Sequence, residues 1–279
     1  MHILTLHCPD QPGIVAKVAA CLNDSGCNIE ESAQFHDHLS GHFFMRVVFS
    51  ESRTDGFDDF KACFQNTADH YEMIWDIYDG TRPVRTLLMV SQYDHCLRDI
   101  LYRETTNHLN IDVTAIVSNH TDTKNLAAQH NTPFYHLPVT KDNKAAQENA
   151  LRDIIKDTKT ELIILARYMQ ILSNQICEEY AGHIINIHHS FLPGFKGARP
   201  YHQAYERGVK MIGATAHFAT AELDEGPIIE QETINITHAH TPEKMQIMGS
   251  DIEARVLVRA IENYTERRIF LHEGRTIIL

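Results

Sequence analysis

Asn186 and His188 flank Ile187 in the run Ile184-Ile185-Asn186-Ile187-His188, and His189 and Ser190 follow at once. In an extended strand successive side chains alternate faces. The Asn186 amide and the His188 imidazole then share one side, while Ile185 and Ile187 occupy the other. Two polar groups side by side on an apolar element form either a satisfied core pair or a site. A carboxylate stands in the polar stretch ATAELDEGP, at Asp224. Alone, Asp224 is a turn residue beside a glycine. Together with Asn186 and His188 it makes a set suited to attack on a carbonyl. An amide and an imidazole can donate hydrogen bonds to a developing oxyanion, and a carboxylate can orient or deprotonate the attacking group.

Other chemistries find less support. His183, His202 and His217 accompany the His188-His189 pair, but the chain holds no H-E-x-x-H and no Cys/His framework. On a continuing strand His188 and His189 point to opposite faces, so no metal site is expected. His238 and His240 precede a helix start and are expected to face solvent. Ser190 follows histidines rather than sitting in a G-x-S-x-G elbow. The six cysteines are scattered without a C-x-x-C pair, the pattern of reduced, buried thiols. The stretch SQYDHC (91–96) has no glycine to let the backbone cradle a phosphate. Nucleotide and NAD readings fall with it, and no cofactor is expected.

These residues need elements to hold them. Residues 1–80 alternate as strand, helix, strand, strand, helix, strand, the βαββαβ ferredoxin-like order. Ile14, Val18, Cys21 and Leu22 mark the first helix; Phe57, Phe60, Phe64 and Ala68 mark the second, predicted over 55–69. The Gly/Pro-bearing DGTRPV (79–84) is a linker. Residues 84–279 switch to βαβα repetition, which predicts a Rossmann-like, mostly parallel sheet covered on both faces. Such sheets bind ligands at the carboxyl ends of their strands, where Asn186 and His188 lie. A long helix starts with Thr241 as N-cap and Pro242 at its first position, with Met245, Met248, Ile252, Val256 and Ala260 as its apolar stripe. The last ten residues form a hairpin turning near Glu273-Gly274.

The 279 residues are 43% hydrophobic and 22% charged, an ordinary globular composition. A net charge of -12 without a basic stripe argues against a nucleic-acid surface. No apolar run approaches the ~18 residues of a membrane span, and the start of the chain lacks signal-peptide character. A cytoplasmic protein is expected.

The stretches LARYMQILS, NIHHSFLPGFKGARPYHQAYERG and GATAHFATAELDEGPII together resemble the formyltransferase family that handles 10-formyltetrahydrofolate, over about residues 84–270. CPDQPGIVAKVAACLNDSGCNI resembles an ACT domain. The resemblance implies Asn186, His188 and Asp224 as the catalytic trio. It places the pterin against the 165–172 segment and the 219–224 loop, with Arg167, Met169, Leu172 and His189 as substrate-binding residues. It also implies an amino-acid effector at the ACT unit and a homo-oligomer. The ribonucleotide transformylases of the family carry a Gly-rich phosphate loop where this chain has SQYDHC, and a proline where it has His189. Loss of that cradle leaves water to attack, so the expected reaction is hydrolysis of 10-formyltetrahydrofolate to formate and tetrahydrofolate, with formate fed to purine synthesis. Transfer to an amine and a non-catalytic amino-acid sensor are the alternatives. Asp224 is expected to take the proton of water, helped if burial raises its pKa, and His188 to protonate N10.

Overall fold

The structure, a computed structural model, describes residues 1–52, 56–194 and 200–279. The chain divides into two units: Met1–Arg82 with Glu266–Phe270 and Ile277–Leu279, and Pro83–Thr265 with Leu271–Thr276.

In the first unit β1 (His2–Pro9), α1 (Ile14–Asp24), β2 (Cys27–Asp37), β3 (His42–Glu51), α2 (Gly56–His70) and β4 (Ile74–Asp79) follow the predicted order. The strands form an antiparallel sheet in the order β2-β3-β1-β4. Ile14, Val18, Cys21 and Leu22 are buried from α1, and Phe60, Phe64 and Ala68 from α2, so both helices turn their three-four stripe to the sheet. Phe64 stacks on Phe60 at 5.0 Å and meets Trp75 edge-on at 4.9 Å. Asp55, the first residue of the predicted second helix, lies outside the described residues.

The division at residue 84 assigns the chain's last residues to the second unit; the contacts assign two of those segments to the first. Arg46 Nε donates to the Glu266 carbonyl at 2.7 Å, and Arg268 pairs with Glu31 at 3.1 Å. The Phe270 ring meets Phe44 at 5.7 Å. No local pattern in the C-terminal tail signals such long-range pairing.

The second unit contains β5 (Val84–Val90), α3 (His95–Thr105), β6 (Ile111–Ser118), α4 (Lys124–Gln129), β7 (Phe134–His136), α5 (Lys144–Asp157) and β8 (Leu162–Leu165). There follow α6 (Asn174–Glu179), β9 (Ile184–His188), α7 (Pro200–Glu206), β10 (Met211–Phe218), β11 (Ile228–Asn235) and α8 (Pro242–Thr265). β12 (Ile269–His272) and β13 (Arg275–Ile278) make the C-terminal hairpin, which turns at Glu273 and Gly274. Seven strands pair in the order β11-β10-β9-β8-β5-β6-β7. From β9 to β7 they run parallel, and β8 is wholly buried, as the continuous apolar sequence of a doubly covered strand requires. β10 and β11 run antiparallel at one edge.

β11 and α7 are not evident in the sequence. Glu230 and Glu232 interrupt the apolar pattern of β11, and α8 neutralises them: Arg255 and Arg259 both pair with Glu232, and Arg259 lies 3.8 Å from Glu230. α8 itself buries Met245, Ile252, Val256 and Ala260, with Met248 half-buried. All six cysteines are free and five are buried. No helix among the described residues is long and apolar enough to cross a membrane.

Candidate active site

β9 ends at His188 because the chain must leave the sheet there, and the departing segment is pinned by a buried hydroxyl. Thr215, on β10 opposite His188, donates from Oγ1 to the Ser190 carbonyl at 2.9 Å. The same oxygen accepts from the Leu192 N–H at 3.1 Å and from Gln231 Nε2 at 2.9 Å, so its hydrogen-bonding capacity is filled. With the strand stopped, alternation no longer separates the two imidazoles. The rings of His188 and His189 stack at 5.0 Å and 25°, contrary to the opposite-face expectation.

His188 is held at both nitrogens. Nδ1 lies 3.2 Å from Asp224 Oδ1, and Nε2 lies 2.8 Å from Ser190 Oγ. Ser190 Oγ in turn donates to the Gly194 carbonyl at 2.8 Å. A carbonyl only accepts, so the serine proton points there and its lone pair faces His188. A carboxylate only accepts as well. Nδ1, facing a carboxylate, is therefore a donor, and Nε2 is held at the serine hydroxyl.

Asp224 reaches His188 from the loop after β10, with φ of 58°. Gly226 makes that loop possible: a Cβ there would stand 1.8 Å from the Phe218 carbonyl oxygen. Burial by itself would raise the Asp224 carboxyl. Hydrogen bonds from His188 and His217 outweigh it and hold the group well below the usual carboxylate range. The expected upward shift is thereby reversed: Asp224 is an anion throughout the physiological range.

Asn186 is half-buried on β9, directly opposite His217 of β10. His217 Nδ1 donates to the Phe218 carbonyl at 2.9 Å, and Nε2 lies 3.1 Å from the Asn186 side-chain amide. Nε2 also lies 3.7 Å from Asp224 Oδ1. His217 thus ties the amide to the carboxylate. The sequence singles it out only as a neighbouring histidine.

These side chains line a cavity of about 780 Å³, together with Arg167, Met169, Leu172 and His189. The turn after β8 is fixed from below, because Ser91 Oγ accepts from the Met169 N–H at 2.9 Å and donates to Asn119 at 2.7 Å. Leu172 is buried in the core beneath the cavity, and Met169 is exposed on its rim. Burial, with Arg167 and His188 nearby, lowers His189 to about 4, so its ring is neutral at pH 7. Arg167 faces Glu253 of α8, whose carboxylate also accepts from His95 Nε2 and the Tyr201 hydroxyl, each at 2.9 Å. Gly249, one helical turn before Glu253, clears the path for Tyr201: a Cβ there would stand 1.9 Å from the tyrosine oxygen. Burial would raise the Glu253 carboxyl, but His95, Arg167 and Tyr201 together hold it below its ordinary value.

His95, Cys96 and Glu253 are close enough to share a metal ion. Their chemistry favours the ion pair instead. Burial pushes the Cys96 thiol well up, away from the thiolate a metal needs, and Arg167 lies 3.3 Å from Glu253. His238 is exposed, and His240 is used in a turn, its Nδ1 accepting from the Thr237 N–H at 2.9 Å.

Residues 84–261 match the family described as Formyl transferase, and residues 2–61 match the ACT domain. A formyltetrahydrofolate deformylase from Corynebacterium sp. (strain P-1) is 43% identical over 279 residues, covering 100% of this chain and 98% of that protein. The chain belongs to the formyltetrahydrofolate deformylase family. The crystal structure of the formyltetrahydrofolate deformylase from Burkholderia mallei superposes with a TM-score of 0.93 at 47% identity, covering 100% of this chain and 99% of that one. Glycinamide ribonucleotide transformylase 1 from Symbiobacterium toebii covers 71% of this chain and 94% of its own, at 28% identity and a TM-score of 0.67. The deformylases of the family are thus matched over both units, and the transformylase over part of the chain.

Proposed function

We propose that the protein hydrolyses the N10-formyl amide of 10-formyltetrahydrofolate to formate and tetrahydrofolate. The observation that carries this reading is the contact between His188 and Asp224, an imidazole Nδ1 at 3.2 Å from an ionised carboxylate, in a cavity large enough for a pterin.

Asn186 Nδ2 and His188 Nε2, the latter exchanging Ser190 Oγ for the substrate, bind the oxygen of the formyl group as it becomes an oxyanion; one such donor contributes about 3 kcal/mol. Asp224 holds the attacking water. Its proton affinity is low while His188 is charged beside it. As His188 gives its proton to N10, the interaction that depresses Asp224 weakens, and the carboxylate can keep the proton that water loses. Acid and base are thereby coupled through one contact. The C–N bond breaks with the proton from His188 on N10, the formic acid formed gives its remaining proton to the now neutral His188 and leaves as formate, and Asp224 returns its proton to solvent.

Water is the acceptor because nothing on α3 offers a seat for a phosphate. The residue at its N-cap is Asp94, whose carboxylate pairs with Arg98 at 2.7 Å and would repel an anion. Met169, Leu172 and the neutral His189 form the wall for the pterin. The reaction calls for no cofactor. The ACT unit, in this proposal, takes an amino-acid effector within a homo-oligomer, and the enzyme works in the cytoplasm.

The test measures formate and formylated product from 10-formyltetrahydrofolate, with and without glycinamide ribonucleotide and other amines. Formate is expected at the same rate in every reaction, with no formylated amine. A stoichiometric formyl acceptor, or no formate from the purified protein, refutes the proposal.

A further inference from the structure

Arg167 sits at the turn where the chain leaves β8, with φ of 65° and only 9% of its surface exposed. A side-chain-bearing residue in the left-handed region is strained, and such strain gathers at functional sites. Its Nε lies 3.3 Å from Glu253 Oε2, close enough for charge pairing but not aligned as a hydrogen bond. Neither Nε nor Nη1 has a hydrogen-bond partner among the described residues. Glu253, 2% exposed, is already occupied by His95 and Tyr201. The cavity that Asn186, His188 and His189 also line therefore includes a buried guanidinium, charge-paired with Glu253, whose Nε and Nη1 have no hydrogen-bond acceptor among the described residues. Unpaired buried donors are costly, and the cost is removed when a ligand brings acceptor oxygens. A guanidinium matches a planar carboxylate in charge and shape.

Resting on the hydrolytic reading above, we propose that Arg167 is the seat of the one-carbon carboxylate product, formate. Hydrolysis turns a neutral formyl amide into an anion inside this cavity, and Arg167 is a buried cation in its wall. The folate's own glutamate offers the same carboxylate chemistry, but it would have to carry an amino-acid backbone to a guanidinium that is nine-tenths buried. A one-carbon anion made in place has no such barrier.

The test titrates ¹³C-formate against the full chain by NMR, for the wild type, Arg167→Gly and Arg167→Gly/Glu253→Gln. Glycine suits the backbone at φ 65°, and the double variant removes the carboxylate left behind by the lost cation. Formate affinity is expected to fall at least tenfold in both variants. Turnover of the substrate with and without its glutamate is compared alongside, and Arg167→Gly is expected to leave that ratio unchanged. Should neither variant fold, Arg167→Lys decides, with an expected loss of at least threefold from replacing the planar fork by a point charge. Equal formate binding in the variants that fold, no formate binding by the wild type, or loss of glutamate preference in Arg167→Gly overturns the proposal. Formate release by the wild type is assayed separately, so failure of the hydrolytic reading is seen apart from failure of the formate seat.

Discussion

Replacing Asp224 by Asn removes a charge and changes little else. Asparagine is isosteric and is among the side chains that best tolerate φ near 58°. Its amide oxygen can still accept from His188 Nδ1, which lies 3.2 Å from the carboxylate. Side-chain exposures of 6% for His188 and 9% for Asp224 leave little water to screen the pair. Two unit charges at this separation attract by about 5 kcal/mol at an effective dielectric of ~20. A hydrogen bond to a charged group nets ~1.5–3 kcal/mol after desolvation. Loss of about 3–5 kcal/mol of transition-state stabilisation lowers kcat by roughly 10²- to 10⁴-fold. KM should change by less than about threefold, because the carboxylate serves the water and His188 rather than the pterin. The assay is formate release at saturating 10-formyltetrahydrofolate, with circular dichroism to show an intact fold. Folded Asp224→Asn protein with more than about a tenth of wild-type turnover refutes the coupling of Asp224 to His188. Stability supplies an independent reading of the same charge. The folded pKa lies below the unfolded one, so the contribution is fully present above about pH 4 and is lost as pH falls through the lower folded value. Wild type and variant should differ in unfolding free energy at pH 7 and converge in acid.

His188→Ala is expected to lower turnover at least ~100-fold with folate binding nearly intact, by kinetics and direct folate titration. His189 titrates at about 4 when folded against 6.5 when free, so only the unfolded chain takes up its proton between those values and stability falls as pH drops through them. His189→Asn should flatten that limb of the unfolding free energy against pH by up to roughly 3 kcal/mol, read by urea titration at pH 7.5 and 4.5. Gly226→Ala places a methyl 1.8 Å from the Phe218 carbonyl oxygen, and should cost at least tenfold in formate release because the loop carrying Asp224 must move. Gly249→Ala would gain about 1 kcal/mol of helix propensity, yet its Cβ falls 1.9 Å from the Tyr201 oxygen, so a lowered melting temperature is expected.

Where local pattern decides structure, the sequence speaks clearly. The stripe of Ile14, Val18, Cys21 and Leu22 can only be satisfied by a helix against a sheet, and all four are buried. The unbroken apolar run of β8 can only survive with both faces covered. β11 escapes because its alternation carries Glu230 and Glu232, whose partners Arg255 and Arg259 lie more than twenty residues away on α8. A strand whose charges are neutralised by another element looks like a loop until that element is placed.

The site divides along the same line. That Asn186 and His188 share a side follows from strand period, whatever lies next to the strand. That His217 faces Asn186 depends on the antiparallel register of β9 and β10, which no local pattern encodes. The charge state of Asp224 shows the limit most sharply. A carboxylate in a loop near histidines is pushed up by burial and down by pairing, and which effect wins turns on ångströms. At 3.2 Å from His188 and 3.7 Å from His217 pairing wins, and the residue that burial alone would make the stronger base starts as the anion of an ion pair. In the proposed mechanism its basicity then comes from the reaction itself, through the proton that His188 gives up. A general base that is weak at rest and strengthened by its own acid partner protects the imidazolium from premature discharge. It also ties cleavage of the C–N bond to the presence of a leaving nitrogen able to accept the proton.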